Sequence, residues 1–287
     1  MSAGPASALA IAAGVGRGEA RPSDVVAEAL ERIAARDPAL NAVVTTDPAD
    51  SLRQAEAVEG RLADSERPRL AGVPVLVKDA IWVAGWRVTQ GSRLFADFRA
   101  PRDNVAVARL RAAGAAVVGM ANMSEFGCKG VTSNPLHGTT RHPLDARLTS
   151  GGSSGGCASA LGAGLVPLAL GTDGGGSARR PRPCGCGGVQ ALGRLLANGP
   201  GFTGGGSLTS VLAPMARSVA DDGLRLCVGR YRAAGRARPS AADPGRSQCT
   251  AAKSSFSSVA SAGENSSTIL PWRATSRRSA SSITSGR

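Results

Sequence analysis

Three side chains carry the chemistry this sequence could do: a lysine closing an apolar run, and a serine in each of two glycine-rich stretches. Lys78 ends the run "GVPVLVKDA" at residues 72–80, Ser153 lies in "LTSGGSSGGCASALGAG" at 148–164, and Ser177 lies in "LALGTDGGGSARRP" at 168–181. A serine hydroxyl is a poor nucleophile until a base removes its proton, so the question is which base is available. A phosphate cradle needs Lys and Ser/Thr after its second glycine; Gly151 and Gly156 have the spacing, but Cys157 and Ala158 follow. Gly151, Gly152, Ser153, Ser154 and Gly155 satisfy G-x-S-x-G. That nucleophile elbow requires an apolar strand before it and a histidine after it. "RHPLDARLT" precedes the stretch, and His137 and His142, the two histidines, both come earlier. Lysine remains. Burial among Val75, Leu76, Val77, Ala80, Ile81 and Trp82 would lower its pKa by disfavouring the ammonium form. Each residue alone has a plainer reading: a solvated lysine at a strand end, turn serines bonding their own backbone, a glycine-rich strand exit.

The elements that must position these groups alternate. Ser23 is expected to cap a helix running to about residue 35, with Val26, Leu30 and Ile33 at helical spacing. A second helix is expected over 48–64 and a short strand within 72–80. A helix over 104–113 leads into a buried strand over 115–122, an αβ unit of the kind found in parallel sheets. A helix over 157–164 and a strand over 165–173 follow, the strand emptying into Gly174, Gly175, Gly176 and Ser177. This order predicts an α/β fold with ligand chemistry at the strand ends.

Composition narrows the function classes. The 287 residues are 42% hydrophobic but only 3% aromatic, so Ala, Gly and Val must supply most of the core. Of the net charge of +13, +7 falls in residues 221–287, where eleven Lys/Arg face four Asp/Glu. The remainder is interspersed, which is a weak case for nucleic acid. Cys128, Cys157, Cys184, Cys186, Cys227 and Cys249 have no framework or metal-site spacing, so reduced thiols are expected, with Cys157 packing as a small apolar residue. The apolar patch at 8–15 has no basic residue before it and no clear cleavage site, and nothing approaches the roughly 20 apolar residues of a membrane span. A soluble, cytoplasmic protein is expected. Beyond about residue 224 periodicity is lost, and 14 of the 48 residues at 240–287 are serine.

The three motifs, in this order and with gaps of 75 and 24 residues between Lys78, Ser153 and Ser177, resemble those of the amidase signature family. "NMSEF" at 122–126, "SNPLHGTTRHPLD" at 133–145 and "APMARSVAD" at 213–221 extend the resemblance over about residues 5–224. It implies a mixed, largely parallel twisted sheet flanked by helices, incomplete at the C-terminus. It also implies a Ser–cisSer–Lys triad: Ser177 as nucleophile, Ser153 after a cis peptide bond as relay, Lys78 as base. The backbone amides of Gly174, Gly175, Gly176 and Ser177 would form the oxyanion hole, with Ser154, Asp173 and Arg179 as supporting residues. No metal or organic cofactor is implied. The expected partner is a small-molecule amide; a homodimer is compatible, whereas nucleic acid and membrane are not expected. The resemblance leaves three alternatives: amide hydrolysis, an inactive remnant, and transamidation of the kind carried out with the A component of glutamyl-tRNA amidotransferase. Besides the loss of resemblance beyond about residue 224, there are local departures: Arg182 and Gln190 replace a small residue and a lysine, His142 replaces an asparagine, and 178–195 is about two residues short. Residues 1–224 are expected to form the signature domain and 225–287 a Ser/Arg-rich tail, disordered or read in a shifted frame.

Overall fold

The computed structural model describes residues 6–180, 184–188, 199, 210–218 and 221. The expected domain boundary at 224/225 and the tail beyond it lie outside the described residues.

The chain opens with α1 (Ala8–Gly16), whose first turn is capped by Ser7 accepting from the Ala10 amide at 3.1 Å. The apolar patch at 8–15 is this helix. In α2 (Pro22–Arg36) a proline occupies the first turn, where its fixed φ suits the helix and its missing N–H costs nothing. Ser23 therefore lies inside the helix and does not cap it: Arg21 is the N-cap, and the Ser23 amide donates to Glu59 at 3.0 Å. Val26, Ala29 and Ile33 form the buried stripe. After β1 (Val43–Thr45), α3 (Pro48–Ala63) starts at Asp47, which accepts from the Asp50 amide at 2.9 Å. Then come β2 (Pro74–Lys78), α4 (Val105–Ala112) and β3 (Ala116–Ala121), with Asn104 capping α4 by accepting from the Ala106 amide at 2.9 Å. A two-stranded hairpin, β4 (Ser133–Asn134) and β5 (Gly138–Thr139), precedes α5 (Gly155–Gly162), which begins two residues earlier than expected. β6 (Leu168–Asp173), β7 (Gly187–Gly188) and β8 (Val211–Ala216) complete the order.

Six strands form one sheet in the order β1-β3-β2-β6-β8-β7. Its centre is parallel, β2 lying between β3 and β6, while β1, β8 and β7 pair antiparallel with their neighbours. The fold is the expected mixed α/β sheet flanked by helices. Every residue of β2, β3, β6 and β8 is buried, as a sheet covered on both faces requires. Val75 and Val77 pack with Leu168, Leu170 and Leu110 of α4 on one face. Leu76 and Ala169 pack with Val26, Ile33, Cys157 and Leu161, from α2 and α5, on the other. Gly156 lets α5 sit directly on the end of β3. A Cβ there would stand 2.4 Å from the Asn122 carbonyl oxygen and 2.5 Å from its nitrogen, closer than packed atoms tolerate.

Candidate active site

The parallel register of β2 and β6 sets Val77 opposite Leu170, so the two strands end side by side. Lys78 is the last residue of β2 and is completely buried. Its Nζ lies 2.7 Å from Ser153 Oγ and 2.7 Å from Thr172 Oγ1. Ser153 Oγ in turn lies 2.8 Å from Ser177 Oγ. Three residues separated by 75 and 24 positions thus form one continuous chain of polar atoms from a buried amine to a half-buried hydroxyl.

Local structure explains why Ser153 stands there. The Gly152–Ser153 peptide bond is cis. Thr132 binds both ends of the turn, its Oγ1 donating to the Gly151 carbonyl at 2.9 Å and accepting from the Gly155 amide at 3.0 Å. Ser154 ties the turn to β6: its Oγ donates to the Thr172 carbonyl at 3.1 Å and accepts from the Thr172 amide at 3.3 Å. Its own amide donates to the Ser177 carbonyl at 3.4 Å. Both serine segments are therefore anchored to the same strand, which fixes their separation.

Ser177 belongs to the turn that leaves β6, and Asp173 holds that turn. The buried Asp173 carboxylate accepts from the Gly176 amide at 2.8 Å, the Ala178 amide at 3.2 Å and the Arg179 guanidinium at 3.0 Å through two nitrogens. Burial alone would raise this carboxyl, but Arg179 and the two amides outweigh it and hold it below the usual carboxylate value. One sequence expectation changes here. The Gly176 amide is committed to Asp173, so it is not available to an oxyanion. Among the described residues, the amides of Gly174, Gly175 and Ser177 donate to no partner.

Burial lowers the Lys78 ammonium from 10.5 to about 8. The adjacent Cys157 would oppose this as a thiolate, but its own burial pushes it up to about 12. It remains a neutral thiol while Lys78 titrates, leaving the Asp173 carboxylate to pull the other way.

A cavity of about 310 Å³ opens over Lys78, Ser153 and Ser177. Lys78, Ser153, Thr172 and Ser177 line it together with Gly174 and Gly175, and Gln90, Met123 and Phe126 belong to the same wall. Sequence reading missed these last three and Thr172. Thr172 stands in a motif already singled out, beside Asp173, but its contact with Lys78 depends on strand register. It also missed the use made of Asp79, next to Lys78. The buried Asp79 carboxylate accepts from the Thr89 amide at 2.8 Å, the Thr89 hydroxyl and the Gly91 amide at 3.3 Å. Burial raises this carboxyl to about 6, although those donors oppose it. Thr89 Oγ1 also meets His137 Nε2 at 2.9 Å. With its hydroxyl proton given to Asp79, Thr89 accepts from the ring, and burial followed by the nearby Arg87 charge lowers His137 to about 4, so the ring is neutral.

The family model described as Amidase matches residues 24–254. Among curated relatives, the A component of the Thermus thermophilus glutamyl-tRNA(Gln) amidotransferase is 43% identical over 213 residues, which cover 74% of this chain and 43% of that protein. Among solved structures, a bacterial aryl acylamidase of the amidase signature family superposes with a TM-score of 0.74 at 32% identity, covering 80% of this chain and 48% of that one. The peptide amidase of Stenotrophomonas maltophilia gives 0.72 at 33%, covering 80% and 51%. The chain spans about half the length, or less, of the relatives it matches.

Proposed function

Because the chain belongs to the amidase signature family, we propose that it hydrolyses a carboxylic amide through an acyl-enzyme, with Ser177 as nucleophile, Ser153 as relay and Lys78 as base. The observation that carries this reading is the unbroken path from Lys78 Nζ through Ser153 Oγ to Ser177 Oγ, at 2.7 and 2.8 Å. Neutral Lys78 takes the Ser153 proton as Ser153 takes that of Ser177, and Ser177 Oγ bonds to the amide carbon. The carbonyl oxygen gains charge against the amides of Gly174, Gly175 and Ser177; one such donor contributes about 3–4 kcal/mol in a transition state. The C–N bond then breaks, and the proton returns along the same path to the departing amine. Water, deprotonated by the same relay, attacks the ester and releases the acid.

The test is covalent labelling with a fluorophosphonate, which reacts with activated serines. The unaltered chain is expected to be labelled at Ser177 and Ser177→Ala to be unlabelled. Equal labelling of the two, or labelling elsewhere, would refute the assignment.

A second reading is favoured by the curated relatives, which are the A components of amidotransferases: the same triad would release ammonia for transfer in a larger assembly. Ammonia release from a simple amide without ATP or tRNA supports the hydrolase. Release that requires both supports the transferase. The thiols of the described Cys128, Cys157 and Cys184, which form no disulfide, suit a cytoplasmic setting for either, and no described helix is long and apolar enough to cross a membrane.

A further inference from the structure

The wall of the cavity contains two residues in an uncommon backbone state. Gln90 and Phe126 have φ of 54° and 50°, a region that non-glycine residues occupy only where surroundings hold them. Here they hold each other: the Phe126 amide donates to the Gln90 carbonyl at 3.0 Å. Asp79 holds the other side. Its backbone carbonyl accepts from the Gln90 amide at 2.9 Å, and its carboxylate accepts from Thr89 and Gly91, the residues on either side. Both backbone polar groups of Gln90 are thus committed, and this half-buried residue lines the cavity that also holds Lys78, Ser153 and Ser177. The Gln90 carboxamide makes no hydrogen bond to any described residue.

A carboxamide offers one acceptor and two donors. Covering it with a substrate that cannot pair those groups costs the desolvation of each. An ammonium would satisfy only its oxygen, and a carboxylate only its nitrogen. A second carboxamide satisfies both at once. Among the described residues lining the cavity, Lys78 is the only ionisable one, and it must be neutral to act as base. No other described lining residue carries a charge that would reward a charged substrate, and Phe126 and Met123 suit a short alkyl spacer.

We infer that Gln90 selects substrates at this site: small uncharged amides whose acyl portion ends in a second carboxamide, paired reciprocally with the Gln90 side chain over an alkyl stretch lying along Phe126. This rests on the hydrolase reading above and adds the substrate class.

The experiment measures ammonia release by the full chain from three amides of equal acyl length, ending in methyl, carboxamide or carboxylate (butyramide, succinamide and succinamate). The expected ratio of kcat/KM for succinamide over butyramide is about 10 to 100, with succinamate the poorest. Gln90→Leu and Gln90→Met are expected to bring that ratio to about 1, circular dichroism identifying which variant is folded. A ratio unchanged in a folded variant, or a preference of the unaltered chain for succinamate or butyramide, overturns the inference. Fluorophosphonate labelling of Ser177 separates the two levels: labelled protein with a flat ratio refutes substrate selection alone, whereas unlabelled, inactive protein refutes the hydrolase reading and this inference with it.

Discussion

Neutral Lys78 has two hydrogens and one lone pair, and its two oxygen neighbours, each at 2.7 Å, divide them. Donating one hydrogen to Thr172 Oγ1 turns the lone pair toward Ser153, the direction from which the proton arrives. Thr172→Val keeps shape but removes that partner, so kcat is expected to fall about tenfold, near the worth of a hydrogen bond to an ionisable group. Unchanged kinetics in steady-state assays would show that Thr172 only fills space. The amine must also be uncharged. With Lys78 at about 8, the rate of Ser177 labelling is expected to rise about tenfold per pH unit below that value and level off above it. A rate flat from pH 6 to 9 would exclude Lys78 as the base. The meeting of Lys78, Ser153 and Ser177 was legible in the sequence because each sits in its own compact motif, and because no histidine follows the serine-rich stretch. Thr172, Asp79 and Gln90 were not. Their roles come from strand register and a folded turn, neither of which leaves a spacing to read.

At the scale of elements, two strands and one helix bring Lys78, Ser153 and Ser177 together. β2 and β6 deliver Lys78 and Thr172, and α5 presses the Ser153 turn against them. The helix depends on Gly156, beside which Asn122 approaches within 2.5 Å of an added Cβ. Gly156→Ala would force α5 away from β3. A loss of about 1–3 kcal/mol in stability is expected, and with it slower Ser177 labelling, because the turn before α5 moves with the helix. Thermal unfolding and labelling rate together check this; a variant as stable and as reactive as the parent would show that the contact is slack. Local signals located α2, α3 and α4 nearly to the residue, since their apolar positions recur at helical spacing. They failed at Ser23, because Pro22 already starts α2 and leaves the serine inside. They also failed for β1 and β8. β1 has only three residues, and β8 carries Pro214 opposite Leu170 between two strands, where a residue without an N–H is not expected. Those strands exist through long-range pairing, so no local pattern announces them.

For the whole molecule, the buried amine is a standing cost. Shifting Lys78 from 10.5 to about 8 means that folding disfavours its protonated form, by about 3 kcal/mol at neutral pH. The sign follows from proton counts. Between about pH 8 and 10.5 the unfolded chain holds the proton and the folded chain does not; the unfolded state binds more protons, so stability rises with pH across that window. Below it the full cost is present, and above it the cost vanishes. Lys78→Met removes the titrating group while keeping an unbranched side chain that fills irregular space. The variant is therefore expected to be more stable than the parent at pH 7, by an amount that shrinks steadily toward pH 10, while losing Ser177 labelling altogether. Asp79, raised to about 6, changes parent and variant alike and cancels in the difference, as does Asp173. Urea midpoints for both proteins at pH 7, 8.5 and 10 measure the trend. A gap that did not change with pH would mean that the amine is solvated in the folded chain. The proton path from Ser177 would then end at an ammonium unable to accept, so the same titration that reads stability also tests whether this molecule can begin its reaction.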